Sequence, residues 1–358
     1  MRILVTGASG YVGSRLIPHL LRQDYEVRAA VRSPAKVAEA HWLERVELVR
    51  MDVGVPEQLA AALRDVDVAY YLLHAMDGDG FVDAEREQAE SFARAAADAG
   101  VGRIVYLGGI APGRVSDDDG EPDESDPTLS AHLRSRLAVE RALGDSGVPV
   151  VVAVRAGILL GGGSTSFELV RRLVEGLPVI PLPRFMDARL QPIAIADALA
   201  VLVAAAHEPD RSGHVNAVGP DTLSYAELVA RFVDVMGLRR AMPRVPSVPF
   251  PVISLPATWV SRMPGPTVRA LVPSMAEDLV TDDSAWGTLS SLSAVPRTPV
   301  AEAIRRSLAS ESPQSVPDDD YALRLTDPEW VGGDVVVRGG RPRRTGTGWL
   351  ARLRGTAR

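Results

Sequence analysis

The segment Ile3-Leu4-Val5-Thr6-Gly7-Ala8-Ser9-Gly10-Tyr11-Val12-Gly13 constrains the fold more than any other part of the chain. Apolar residues of strand character run into three evenly spaced glycines, and a helical pattern over Gly10–Arg22 follows at once. A strand that turns sharply into a helix needs a residue tolerant of unusual backbone angles at its first glycine, Gly7. At Gly10 a bare backbone lets a ligand approach, and at Gly13 it lets the helix pack close to its strand. Such a helix aims its unpaired N–H groups and the positive end of its dipole at the turn, where a phosphate is favoured.

The rest of the first half repeats this alternation. Apolar runs at Ile3–Thr6, Glu26–Val31, Val46–Arg50, Val68–Leu72, Arg103–Leu107 and Val150–Arg155 are separated by helical patterns. The clearest of these are Gly10–Arg22, Phe81–Ala99 and Leu129–Asp145, with Gly100 placed as a helix-ending glycine. Six such runs predict an α/β fold, a Rossmann-type doubly wound parallel sheet whose crevice opens at the strands' C-terminal ends. The expected dinucleotide-binding core is residues 1–157, completed by segments around 190–220. Beyond Gly161-Gly162-Gly163 the pattern predicts helices near Ser166–Glu175 and Ala194–Ala206 and a strand at His214–Val218. A helix over Thr222–Met236 follows, with Asp221 or Ser224 at its N-cap. Residues 158–310 read as a mixed, smaller C-terminal substrate lobe, in which Phe250, Val252, Ile253, Leu255 and Trp259 supply apolar surface. Residues 311–358 read as a linker and an Arg/Gly-rich, partly disordered tail, whose Trp349, Leu350 and Leu353 could touch a membrane surface or a partner.

Composition removes several function classes. The 358 residues carry a formal net charge of -7, against the basic surface of a nucleic-acid binder. Cysteine is absent, which excludes disulfides, thiolate catalysis and Cys-ligated metals. Lys36 is the only lysine, so the abundance of arginine reads mainly as base composition. No signal peptide is visible, and the longest apolar run, Ile193–Ala206, is short and holds Asp197. The expectation is a cytoplasmic protein with a small-molecule substrate and no integral membrane segment. Acidic residues crowd the loop Ala111–Pro127, but without the spacing of a calcium loop, so no metal site is expected.

The strand-turn-helix context marks the glycines as a dinucleotide fingerprint. Many NAD sites place Asp or Glu at the end of the second strand to hold the ribose 2′-OH. Here the strand ends in Arg32-Ser33, and a guanidinium suits a 2′-phosphate. NADP(H) is therefore favoured, with Lys36 assisting, and NAD(H) stays possible if Arg32 is an ordinary surface arginine. Asp52-Val53 after the third strand either contacts the adenine or, through Asp52, caps the next helix.

TGASGYVG, VRSPAK, MDV, YYLLHAM, RIVYLGG, HLRSRLAVE, RAGILLGGG, QPIAIADAL and VGPDTLSYAEL together resemble the extended and atypical short-chain dehydrogenase/reductases over roughly residues 1–240. The outline is most similar to the NmrA-like NAD(P)H-binding, epimerase/dehydratase-like branch. Leu325–Gly333 resembles the join before a further C-terminal DUF2867 domain, which this chain looks to lack. The resemblance implies that Thr6, Gly7, Ser9, Gly10, Tyr11, Val12 and Gly13 hold the diphosphate. It implies that Leu73, His74, Arg136 and Arg155 lie along the nicotinamide half, with Gln191-Pro192 on the substrate side. It also implies a homodimer face on the Phe81–Ala99 and Leu129–Asp145 helices.

Departures from the family pattern are specific. Its Tyr-x-x-x-Lys pair and strand-end serine are replaced by His132, Arg136 and Gly108-Gly109 when the helix is aligned on Ser135 and Glu140. Arginine can still hold a ribose, but the usual tyrosine acid is missing. Replacement acids are His132, one turn from Arg136, then His74 and Tyr106, each of which can equally be structural. The leading expectation is an oxidoreductase for a small apolar carbonyl or enone. The alternatives are a non-catalytic NADP(H) sensor or scaffold and, third, a sugar-nucleotide epimerase/dehydratase.

Overall fold

A computed structural model describes residues 1–74, 81–111, 129–246, 249–309, 319–328, 330–339 and 341–344. The acidic loop, most of the linker, and the tail's Trp349, Leu350 and Leu353 lie outside the described residues. The chain divides into two compact units. The first comprises Met1–Ala156, Asp197–Val218 and Thr281–Pro296, and the second Gly157–Ala196, Gly219–Val280 and Arg297–Arg358.

The first unit is built on a seven-stranded parallel sheet. Its strands are β1 (Arg2–Val5), β2 (Glu26–Val31), β3 (Glu47–Arg50), β4 (Val68–Tyr71), β5 (Arg103–Gly109), β6 (Val150–Ala156) and a seventh, Gly213–Ala217. Across the sheet the order runs from Gly213–Ala217 through β6, β5, β4, β1 and β2 to β3. All six predicted strands are present, and the strand order reverses between β1 and β4, the place where a doubly wound sheet opens its crevice. Helix α1 (Tyr11–Arg22) buries Leu16, Ile17 and Leu20, residues one turn apart on its sheet-facing side. Helices α2 (Pro56–Leu63), α3 (Phe81–Asp98) and α4 (Ala131–Gly144) follow in order. Ala89, Phe92 and Ala96 of α3 join Tyr71, Ile104, Tyr106 and Leu143 in one apolar cluster. The Phe92 ring lies 5.0 Å from that of Tyr71.

Arginine has a structural use that composition concealed. The buried Arg28 of β2 reaches Glu47 on β3 at 2.9 Å and donates to the Ala62 and Arg64 carbonyls at 2.8 and 2.7 Å. It thereby closes the C-terminal end of α2. Arg103 of β5 donates to the carbonyls of Ala205 and Pro209 at the end of α6 (Ile195–Ala205). A planar fork with several donors satisfies two backbone carbonyls at once, at or just beyond a helix end, which a lysine ammonium does less well.

The second unit contains α5 (Thr165–Gly176), α7 (Tyr225–Val235), α8 (Phe250–Ser261), α9 (Gly265–Ser274), a helix at Val300–Ala309, and a hairpin of Val335–Arg338 with Arg341–Arg344. The N-cap of α7 is Ser224, in a reciprocal pair with Glu227. Asp221, the other expected cap, instead accepts from the Val300 N–H at 2.7 Å, at the start of a different helix. Four charged residues of α5, Glu168, Arg171, Arg172 and Glu175, are buried. Glu175 accepts from the N–H groups of Asp334 and Val335 at 3.0 Å, and Glu168 from that of Gly332 at 3.1 Å. Arg171 donates to the Val335 carbonyl, and Arg172 to those of Trp330, Gly332 and Ser261. Among the described residues of the C-terminal stretch, Trp330, Gly332, Asp334 and Val335 thus form a strap bonded to α5, and Val335–Arg338 pairs with Arg341–Arg344.

Candidate functional site

The turn between β1 and α1 has a backbone that only its glycines fit. Gly7 has φ +63°, and a Cβ there would stand 2.9 Å from the Leu72 carbonyl oxygen. A Cβ on Gly13 would stand 2.4 Å from the Gly7 oxygen and 2.9 Å from its carbonyl carbon, so helix and turn touch backbone to backbone. The Gly10 N–H donates to the Gly7 carbonyl at 2.8 Å. Gly10 is the N-cap of α1 but supplies no capping side chain, and the first turn carries no acidic residue. The helix start thus carries neither a capping side chain nor a carboxylate, the arrangement an anion site at a helix N-terminus requires. The buried Thr6 hydroxyl donates to the Tyr70 carbonyl at 2.9 Å and accepts from the Leu72 N–H at 3.0 Å, which locks the end of β1 to β4. Ser9, Tyr11 and Val12 are half-buried around this turn.

Arg32 follows directly on β2, is exposed, and has no ion-pair partner among the described residues; Lys36 is exposed on the following short turn of helix. Asp52 closes its own loop, accepting from the Gly54 N–H at 3.0 Å, and does not cap α2, whose N-cap is Val55. Val53 is buried and lines a cavity of about 670 Å³ together with Leu59, Arg64, Arg94 and Asp98.

At the ends of β4 and β5 a compact ionic cluster appears. Leu73 is half-buried and His74 exposed just beyond β4. On α4, Arg136 is buried and gives one guanidinium nitrogen to both oxygens of Glu85 on α3, at 2.8 and 2.7 Å. The Ser135 hydroxyl donates to the same carboxylate. Glu85 is 3% exposed, and sequence reasoning missed it: it sits among other acidic residues of α3, and only the fold turns it inward toward α4. His132 is half-buried, and its Nδ1 is sealed from solvent without a hydrogen-bond partner. Burial, then the charges of Arg136 and His74, push the imidazole down to about 3. His132 is therefore neutral at pH 7, able to relay a proton but not to store one.

Tyr106 is buried, with its ring 6.2 Å from that of Tyr71 and its hydroxyl donating to the Arg136 carbonyl at 3.3 Å. Burial pushes it up to about 12, away from acid catalysis near neutral pH. Its ring also accounts for Gly108, where a Cβ would stand 3.0 Å from the Tyr106 ring. Arg155, near the end of β6, is held by both carboxylate oxygens of Glu140 at 2.8–3.2 Å. In the second unit, Gln191-Pro192 packs backbone against Gly157, where a Cβ would lie 2.1 Å from the Gln191 oxygen. Phe250 stacks edge-on against Phe185 at 5.3 Å, whereas Val252, Leu255 and Trp259 of α8 face outward.

Comparison with known proteins agrees with this geometry. Residues 7–177 match the model of the NAD(P)H-binding family. The ceramide reductase of Caulobacter vibrioides is 27% identical over 278 residues, covering 75% of this chain and 81% of that protein. Among solved structures, the triphenylmethane reductase of Citrobacter sp. complexed with NADP(H) superposes with a TM-score of 0.64 at 20% identity, over 86% of this chain and 99% of that one. The UDP-glucuronic acid 4-epimerase of Bacillus cereus, in complex with UDP-glucuronic acid and NAD, gives 0.62 at 19% identity, over 85% and 96%. At these identities the two structures speak for the fold. The seven-stranded sheet and the glycine turn agree with the similarity of residues 7–177 to the NAD(P)H-binding family.

Proposed function

We propose that the protein is an NADP(H)-dependent reductase of the short-chain type, acting on a small apolar carbonyl or enone without a tyrosine-lysine pair. The observation that carries this reading is the glycine cradle, where a Cβ at Gly7 or Gly13 would strike backbone, with Arg32 open at the end of β2. Gly7, Gly10 and the first turn of α1 hold the diphosphate, and Arg32 reads the 2′-phosphate. The bound nicotinamide supplies the hydride. Leu73 and His74 border its ring, and His132, neutral and with an unpartnered Nδ1 sealed from solvent, passes a proton from water at its other ring nitrogen to the substrate oxygen. The ceramide reductase among the similar proteins favours reduction over epimerisation.

The first test is a fluorescence titration with NADPH and NADH, repeated on Arg32→Glu. Loss of a charge-assisted contact of roughly 1.5–3 kcal/mol corresponds to about ten- to a hundredfold weaker NADPH binding, with NADH unchanged. Equal affinities for both cofactors in the parent protein would remove Arg32 as reader. Turnover is then followed as NADPH consumption across aldehydes, ketones and enones. His132→Ala is expected to lower turnover by about a hundredfold, in the range of one lost proton-transfer group, and to leave NADPH affinity unchanged.

The second reading, a redox sensor without turnover, is favoured by one observation. Arg136 stands in the lysine position, and its guanidinium is already tied to Glu85. Tight NADPH binding with no consumption across the whole panel would select it.

A further inference from the structure

The outer face of α8 leaves a stripe of large apolar side chains in water. Val252, Leu255 and Trp259 are 58%, 70% and 75% exposed, and their spacing puts them on one side of the helix. Its opposite side is anchored, with Ser254, Ala257, Val260 and Ser261 buried. Charge around this helix runs against the chain as a whole. Between Leu238 and Ala276 the sequence holds Arg239, Arg240, Arg244, Arg262 and Arg269 and neither Asp nor Glu, in a protein of net charge -7. Arg239, Arg262 and Arg269 are exposed, and the Arg269 guanidinium borders Gly265 beside Thr258 of α8. Asp187, near this stretch, is paired with Arg244. Pro342 of the hairpin meets Gly237, which brings the exposed Arg341, Arg343 and Arg344 to the same basic segment.

We propose that α8 and its flanking arginines form a docking surface for an anionic lipid membrane. An indole with aliphatic neighbours on one helix face, with Arg262 and Arg269 at the C-terminal end of the helix, suits the boundary between acyl chains and headgroups. Guanidinium pairs with lipid phosphate through two parallel hydrogen bonds. A second copy of the chain is a poorer occupant: a two-fold interface through α8 would bring the arginines of both copies together without carboxylates to answer them. This surface lies beyond the proposed reductase activity and stands whether or not carbonyls are reduced.

The test is co-sedimentation of the full chain with vesicles of phosphatidylcholine alone and of phosphatidylcholine mixed with phosphatidylglycerol. Binding to the anionic vesicles is expected, weakening as salt rises. The double variant Leu255→Asp/Trp259→Asp changes only solvent-facing positions, and circular dichroism and NADPH titration verify that it folds. Its bound fraction is expected to fall by about tenfold or more, with Arg269→Glu weakening binding further. Failure of the parent protein to sediment with either vesicle would overturn the proposal. So would a double variant that sediments like its parent, which would move binding to another surface such as the C-terminal arginines. A concentration-dependent dimer abolished by the double variant, without vesicle binding, would assign the face to a second copy instead.

Discussion

A chain ending at Pro328 is expected to leave the second unit unfolded, although only residues near the end are removed. Truncation takes away the N–H groups of Gly332, Asp334 and Val335 that satisfy Glu168 and Glu175. It also removes the carbonyls of Trp330, Gly332 and Val335 that satisfy Arg171 and Arg172. Among the described residues, the four charges on α5 would keep only their bonds to one another, to the Gly163 N–H and to the Ser261 carbonyl, each bond lost to the strap costing about 1–3 kcal/mol. Val335, Val336 and Val337, all buried, add roughly 1.5–3 kcal/mol apiece. The sum is of the same order as the 5–15 kcal/mol or so by which a domain is stable. Limited proteolysis and urea unfolding followed by intrinsic fluorescence would report this as early cleavage and a missing transition. Glu175→Ala isolates the effect at one residue, with an expected loss of about 3–5 kcal/mol. A chain ending at Arg344 keeps every one of these bonds and serves as the control. An unchanged urea midpoint for the Pro328 truncation would show that the strap contributes nothing to the fold.

Glu85→Ala is the second large effect. The substitution leaves the Arg136 guanidinium buried without its carboxylate and takes the acceptor from the Ser135 hydroxyl. Breaking a buried pair from one side costs about 3–5 kcal/mol, whereas replacing both partners by apolar residues is often near neutral. Glu85→Leu combined with Arg136→Met should therefore recover most of the urea midpoint lost in Glu85→Ala. A double-mutant cycle gives the coupling directly. A drop below about 1 kcal/mol for Glu85→Ala would mean that water or another carboxylate had taken over Arg136. NADPH titration of Glu85→Ala adds a separate reading. Tighter binding would indicate that Arg136, once released, reaches the cofactor, and unchanged binding would confine it to holding α3 against α4.

The sequence made the sheet legible because its strands are buried on both faces and read as continuous apolar runs. Glu26–Val31 comes out residue for residue, and the glycine turn was legible because its spacing answers a steric demand at Gly7 and Gly13. The second unit hid itself for three physical reasons. Helix α5 turns Glu168 and Glu175 inward, and a charge seven residues from its like normally reads as a solvent face. Helices α8 and α9 begin at Pro-rich starts, and proline tolerated in a first turn resembles loop composition. The hairpin strand Arg341–Arg344 is exposed at every position, so no alternation marks it. At the site, His132 and Arg136 could be found from their spacing on one helix. Their partner Glu85 could not, because the pairing of α3 with α4 is a tertiary fact. The arginines that look like base composition include Arg28 and Arg103, which close helix ends.

The two units are interleaved along the chain, and this sets a timetable for the nascent protein. Strand β6 leaves the ribosome early, but its neighbour Gly213–Ala217 comes some sixty residues later, and the segment Thr281–Pro296 later still. At about 5–20 residues per second, the roughly 125 residues from Ala156 to Thr281 occupy about 6–25 s. Throughout the first part of that interval the valine-rich edge of β6 is unpaired, a template for any other strand nearby. Slower elongation over residues 157–212 would lengthen this exposure, so yield in a heterologous host should respond to codon choice there and to chaperones that cover open sheet edges.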